Sequence, residues 1–122
     1  MDRTLAGCVI LVVEDEPIIA LDVVSGLEAA GARVFASRSV ADALRVVERD
    51  DLTAAVLDHR LSEGDTSELC ATLKERNIPF VLYSGLSSIE GACSAGELVR
   101  KPAPAKDLVA TLIRQLSGNR LS

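Results

Sequence analysis

Aromatic residues are almost missing from this chain, which has no tryptophan, one tyrosine and two phenylalanines among its 122 residues. Its core must therefore be built from Leu, Val, Ile and Ala. The 48% hydrophobic content and mean hydropathy of +0.27 are enough for that and exclude wholesale disorder. Long apolar runs are also absent. No stretch approaches the ~20 residues of a membrane span, so a soluble protein is expected. Positive charge is scarce and dispersed: the net charge is −5 and the pI about 4.8. That balance argues against binding nucleic acid by neutralising phosphates, and no basic stripe is visible. Cysteine is limited to Cys8, Cys70 and Cys93, an odd set without metal-ligand spacing. Cys8 and Cys70 lie in apolar patterns and read as buried thiols acting as small hydrophobes, as suits a reducing cytosol. Repeats, linkers and low-complexity tracts are lacking too. One domain is expected over 1–122, with its core at about 8–117.

Leu5-Ala6-Gly7-Cys8 matches the lipobox of bacterial lipoproteins. A signal peptide needs an apolar region of roughly 7–15 residues before that site. Only Met1-Asp2-Arg3-Thr4 precedes it, so the match reads as accidental.

Strand and helix signals alternate along the whole chain. Val9–Val13, Ala54–Leu57 and Phe80–Tyr83 are short apolar runs of the kind that form buried strands, and Ala32–Ala36 and Leu98-Val99 are weaker ones. Pro17 fits the opening turn of a helix carrying Ile18, Ile19, Leu21, Val24 and Leu27, and Gly31 stops it. Ser39 reads as the N-cap of a second helix, with Asp42 three residues on. A third helix is expected from about Ser67 to Arg76, and a last one from near Pro104 that ends in a polar tail from Gly118. Ser87–Gly96 is small, polar and poorly periodic, and fits either one weak helix or a loop. This alternation predicts an α/β three-layer sandwich with helices on both faces of a five-stranded parallel sheet. The flavodoxin-like order 2-1-3-4-5 is the best topology.

The strand ends carry the chemistry. The first strand runs into Glu14-Asp15, the third ends in Asp58, the fourth in Ser84-Gly85, and the fifth leads to Lys101-Pro102. In a parallel sheet these ends gather at one rim, so three acids, a hydroxyl and a lysine would share a pocket. That set suits transfer of a phosphoryl group to a carboxylate assisted by a divalent metal, since Mg²⁺ prefers oxygen donors and takes one or two carboxylates besides phosphate oxygens. Each motif has a plainer reading: Glu14-Asp15 can cap a helix N-terminus, and Ser-Gly or Lys-Pro can be turns. His59 follows Asp58 on the opposite strand face and is read as a surface residue.

Taken together, Leu11-Val12-Val13-Glu14-Asp15-Glu16-Pro17, Ala55-Val56-Leu57-Asp58, Leu82-Tyr83-Ser84-Gly85 and Lys101-Pro102 resemble the receiver domain of bacterial response regulators, single-domain type. The resemblance implies that Asp58 is the phosphoacceptor and that Glu14, Asp15, Asp58 and the backbone carbonyl of Arg60 hold Mg²⁺ (or Mn²⁺). It implies that Lys101 pairs with Asp58 and then with phosphate, that Ser84 hydrogen-bonds the phosphate, and that Lys101-Pro102 is a cis peptide. A cytoplasmic signalling switch rather than an enzyme follows. Its partners would be a sensor histidine kinase or phosphotransfer protein and an unknown downstream protein, with no nucleic acid and no membrane. Met1 and the polar tail favour a complete chain over a receiver cut from a hybrid kinase. A phosphorylation-independent pseudo-receiver is the other alternative. A haloacid-dehalogenase-like phosphatase fits poorly, because Arg60 stands where such enzymes carry a second Asp. The sequence departs from the pattern at Leu98, where the family has a switch Tyr or Phe, and at Ser62, Thr66 and Ala103. Its Ser84-to-Lys101 span is short, and its fourth strand resembles that of stand-alone alphaproteobacterial receivers.

Overall fold

The computed structural model describes residues 4–49, 51–58, 66–85, 91–101 and 103–121. Apolar runs buried on both sides form β1 (Val9–Val13), β3 (Ala54–Asp58) and β4 (Phe80–Ser84), and the more mixed segments Arg33–Ser37 and Glu97–Arg100 form β2 and β5 at the sheet edges. All pair in parallel, in the order β2-β1-β3-β4-β5. This is the flavodoxin-like topology expected from the sequence.

Between the strands lie α1 (Pro17–Ala29), α2 (Val40–Val47), α3 (Thr66–Glu75) and α4 (Ala105–Leu121), with a short 3-10 helix at Gly91–Ala95. Alternation along each strand sorts the core into two layers. Ile10, Val12, Val56 and Val81 pack against Leu27 of α1 and Leu108 and Leu112 of α4. Leu11, Val13, Leu57 and Leu82 pack against Val47 of α2 and Leu69 and Leu73 of α3. Because both faces are covered, the central strands β3 and β4 are buried at every position.

Helix ends follow local chemistry. Ser39 caps α2, its hydroxyl accepting the Asp42 N–H at 3.2 Å. Gly31, at φ +104°, lets its own N–H and that of Ala32 donate back to the Glu28 and Leu27 carbonyls, the Schellman closure of α1. Asn77 at φ 58° closes α3 in the same way.

Several expectations need correction. The chain does not leave its last helix at Gly118; α4 continues to Leu121, since one helical glycine weakens but does not stop a helix already docked on the sheet. The apolar spacing of α1 is not all inward. Val23 and Leu27 are buried, whereas Ile18 and Leu21 are 77% and 64% exposed. Cys70 is not a lone buried thiol but is disulfide-bonded to Cys93, 23 residues away. The sheet order places α3 beside the 3-10 helix and brings the two Cα atoms to 4.9 Å. Cys8 is buried outside this bond. Within the weakly patterned stretch, Gly91–Ala95 is the 3-10 helix; its earlier part, with His59, Arg60, Ser62 and Pro102, lies outside the described residues. Among the described residues no helix is long and apolar enough to cross a membrane.

Candidate functional site

Parallel pairing brings the carboxyl ends of β1, β3, β4 and β5 to one rim, and the register sets their spacing. Val13 lies opposite Leu57, so Glu14 and Asp15 follow β1 beside Asp58. Asp58 lies opposite Tyr83 on β4, and Ser84 opposite Arg100 on β5, whose next residue is Lys101. The Lys101 N–H donates to the Ser84 carbonyl at 2.7 Å, extending the β4–β5 ladder one step and aiming the lysine across the rim.

Three carboxylates converge there. Glu14, Asp15 and Asp58 each present an oxygen within 4.8 Å of the others. Glu14 and Asp58 are only 4% exposed, Asp15 is half-buried, and Ser84 is buried. Lys101 Nζ donates to Asp58 Oδ1 at 2.9 Å. Glu14 Oε1 accepts the Glu16 N–H at 2.9 Å, which fixes its side chain over the start of α1. Burial pushes the Glu14 carboxyl up to about 7. The Glu16 amide opposes this, the neighbouring Asp58 adds to it, and Lys101 offsets part of it. Three carboxylates gather here beside the Lys101 ammonium, and a proton held on Glu14 near neutrality relieves part of their mutual repulsion.

Of the residues singled out in the sequence, the structure thus brings Glu14, Asp15, Asp58 and Lys101 into one cluster and puts Ser84 on the same rim. Arg60, whose carbonyl was expected to contribute, lies outside the described residues. Leu98 is half-buried and packs on the α2–α3 side of the sheet, where it offers no hydroxyl or ring to this rim. Tyr83 was passed over as one more apolar strand residue. Its ring lies 5.0 Å from Lys101 Nζ, and its hydroxyl contacts the backbone of Ala103. Its position at a strand end, one residue before Ser84, was the available signal.

The donor set is all hard oxygen, as Mg²⁺ requires, and the raised Glu14 pKa marks a place where a cation would relieve repulsion. The residues present therefore fit a divalent metal.

A profile of the response regulator receiver domain matches residues 10–113. The chain belongs to that family. Receiver domains are signalling switches of two-component systems rather than dedicated enzymes. Among relatives, the heme response regulator HssR of Staphylococcus aureus (strain MRSA252) is 32% identical over 105 residues, covering 81% of this chain and 47% of that protein. The chain spans 61% and 47% of the length of the curated relatives it matches. SdrG of Pseudomonas melonis Fr1, solved in solution in its BeF3-activated conformation, is 34% identical, with a TM-score of 0.71 over 91% of this chain and 97% of that one. The receiver domain of the sensor histidine kinase PA1611 from Pseudomonas aeruginosa PAO1 is 26% identical, with a TM-score of 0.75 over 89% and 97% of the two chains. That receiver was solved with a magnesium ion coordinated in its active site cleft.

Proposed function

We propose that this receiver domain, spanning 1–122, accepts a phosphoryl group on Asp58 from a phosphohistidine of a sensor histidine kinase or phosphotransfer protein, and so switches the binding of a downstream protein. The carrying observation is the 2.9 Å contact between Lys101 Nζ and Asp58 Oδ1 inside the acid cluster. It pairs the buried Asp58 carboxylate with an ammonium while leaving both groups in the acid cluster at the rim, where a phosphoryl group could meet them. The magnesium ion in the PA1611 cleft adds support.

The chain's own groups divide the work. A carboxylate oxygen of Asp58 forms the new P–O bond as the P–N bond to the donor imidazole breaks, and that nitrogen keeps the electron pair. Lys101 holds Asp58 in place beforehand and afterwards follows the negative charge to a phosphoryl oxygen as a point charge. Ser84, buried at the end of β4, offers a hydroxyl to the same group and carries the change into the β4–β5 connection. Glu14, Asp15 and Asp58 would hold Mg²⁺, and Mn²⁺ would accept the same donors; the Arg60 carbonyl, outside the described residues, would be a further ligand. The metal, when bound, neutralises charge on the carboxylates and on the phosphoryl group in transit. A cytoplasmic location accords with such partners, and in that reducing milieu the Cys70–Cys93 bond would be exposed to reduction.

Intact mass after incubation with acetyl phosphate tests the reading. A Mg²⁺-dependent gain of one phosphoryl group is expected for the native chain and none for Asp58→Asn. A native chain that gains nothing, with acetyl phosphate or with histidine-phosphorylated donors, would point to a phosphorylation-independent interaction module.

A further inference from the structure

Tyr83 touches the lysine side of this site at two places, and neither contact belongs to packing alone. Its hydroxyl donates to the Ala103 carbonyl at 3.2 Å and accepts the Ala103 N–H at 3.4 Å. The ring thus grips the backbone two residues beyond Lys101, between β5 and α4. Its face also lies 5.0 Å from Lys101 Nζ, within the range where an ammonium is attracted to an aromatic quadrupole. A small cavity of about 90 Å³ borders the ring on the α1 side, lined in part by Ile19, Asp22 and Leu108. The ring is otherwise buried in the core layer under α1 and α4, so its polar contacts add direction to a position that packing already confines.

Lys101 needs such help. Its side chain is only 29% exposed, yet it is a flexible four-carbon stem that must keep its ammonium 2.9 Å from Asp58. The backbone bond from Lys101 to Ser84 anchors the stem's base at 2.7 Å but leaves its end undirected. Tyr83 completes the restraint. It stands opposite Asp58 in the β3–β4 register, so one strand step sets nucleophile, lysine and ring relative to each other.

We propose that Tyr83 is a positioning residue for phosphoryl transfer, holding the Lys101 ammonium against Asp58 by its ring face and holding the loop after Lys101 by its hydroxyl. The inference rests on the reading of Asp58 as the phosphoacceptor.

The test is a double-mutant cycle on the rate of phosphoryl gain from acetyl phosphate at fixed Mg²⁺. It uses the native chain, Tyr83→Phe and Tyr83→Leu, each with Lys101 and with Lys101→Met, and thermal melts confirm that every variant is folded. With Lys101 present, Tyr83→Leu should slow the reaction about five- to tenfold, and Tyr83→Phe, which restores the ring, about threefold. In the Lys101→Met background, Tyr83→Leu should make no further difference, because the residue acts through the lysine. Equal slowing in both backgrounds would overturn the inference and leave Tyr83 as a packing residue. If the native chain takes no phosphate, the Asp58 reading fails and a second readout still decides the inference. Tyr83 is the single tyrosine and there is no tryptophan, so the protein's intrinsic emission reports this one ring. Lys101→Met should change that emission in the metal-free protein, and an unchanged spectrum would overturn the contact.

Discussion

Below pH 7 a divalent cation entering this site must displace a proton. Burial, with the Asp58 carboxyl alongside, lifts Glu14 from 4.5 to about 7, so the metal-free protein holds a proton there at mildly acidic pH. A metal ligand must be ionised, so apparent Mg²⁺ affinity should rise with pH and level off above 7. Relative to that plateau, binding should be about twofold weaker at pH 7 and about tenfold weaker at pH 6, as displacement of one proton requires. Calorimetric titration in two buffers of different ionisation enthalpy counts the proton directly. About 0.9 proton should leave per cation at pH 6 and about 0.1 at pH 8. Glu14→Gln should bind more weakly and lose this dependence. The same shift acts on folding with a definite sign. Glu14 binds its proton more tightly in the native than in the unfolded chain, so its contribution is fully present below 4.5 and is lost as pH rises through 7. The loss is on the order of 3 kcal/mol in the metal-free protein, and Mg²⁺ should restore stability most strongly above pH 7. Equal Mg²⁺ affinity at pH 6 and pH 8, with no proton released, would refute this reasoning, because Glu14 would then be ionised before the cation arrives.

Two further outcomes concern the scaffold. The Cys70–Cys93 bond closes a 23-residue segment, and reduction should lower stability by about 3 kcal/mol on the chain-entropy account, seen as a lower urea midpoint in dithiothreitol. Thiol labelling of the denatured protein before reduction should find Cys8 alone. Gly96→Ala would place a Cβ 2.4 Å from the Phe80 ring just before β5, so it should destabilise the fold by about 1–3 kcal/mol in the same assay.

Much of the site was legible because strand identity and strand direction fix where side chains emerge. Once Ala54–Asp58 is a buried parallel strand, Asp58 has to reach the carboxyl rim, and Glu14 and Asp15 have to arrive next to it from β1. Ser39 and Gly31 were equally readable, since a cap needs only its neighbours' backbone. Tyr83 was not readable in this way. Whether a strand tyrosine is filler or a contact for a lysine 18 positions later depends on which face it takes and on where the loop after β5 returns. The disulfide was hidden for the same reason, because nothing local ties α3 to the 3-10 helix.

The sequence by itself determined the alternation of strands and helices, the parallel order of the sheet and the set of polar residues at its rim. The elements follow from periodicity and capping, which are properties of neighbouring residues, and the sheet order follows because right-handed crossovers leave few alternatives for such an alternation. Tertiary structure decided the rest. It set the 2.9 Å reach of Lys101 to Asp58, the environment that lifts Glu14 to about 7, the exposure of Ile18 and Leu21, and the pairing of Cys70 with Cys93. Each of these depends on distances between segments far apart in the chain, and on how much water their meeting excludes.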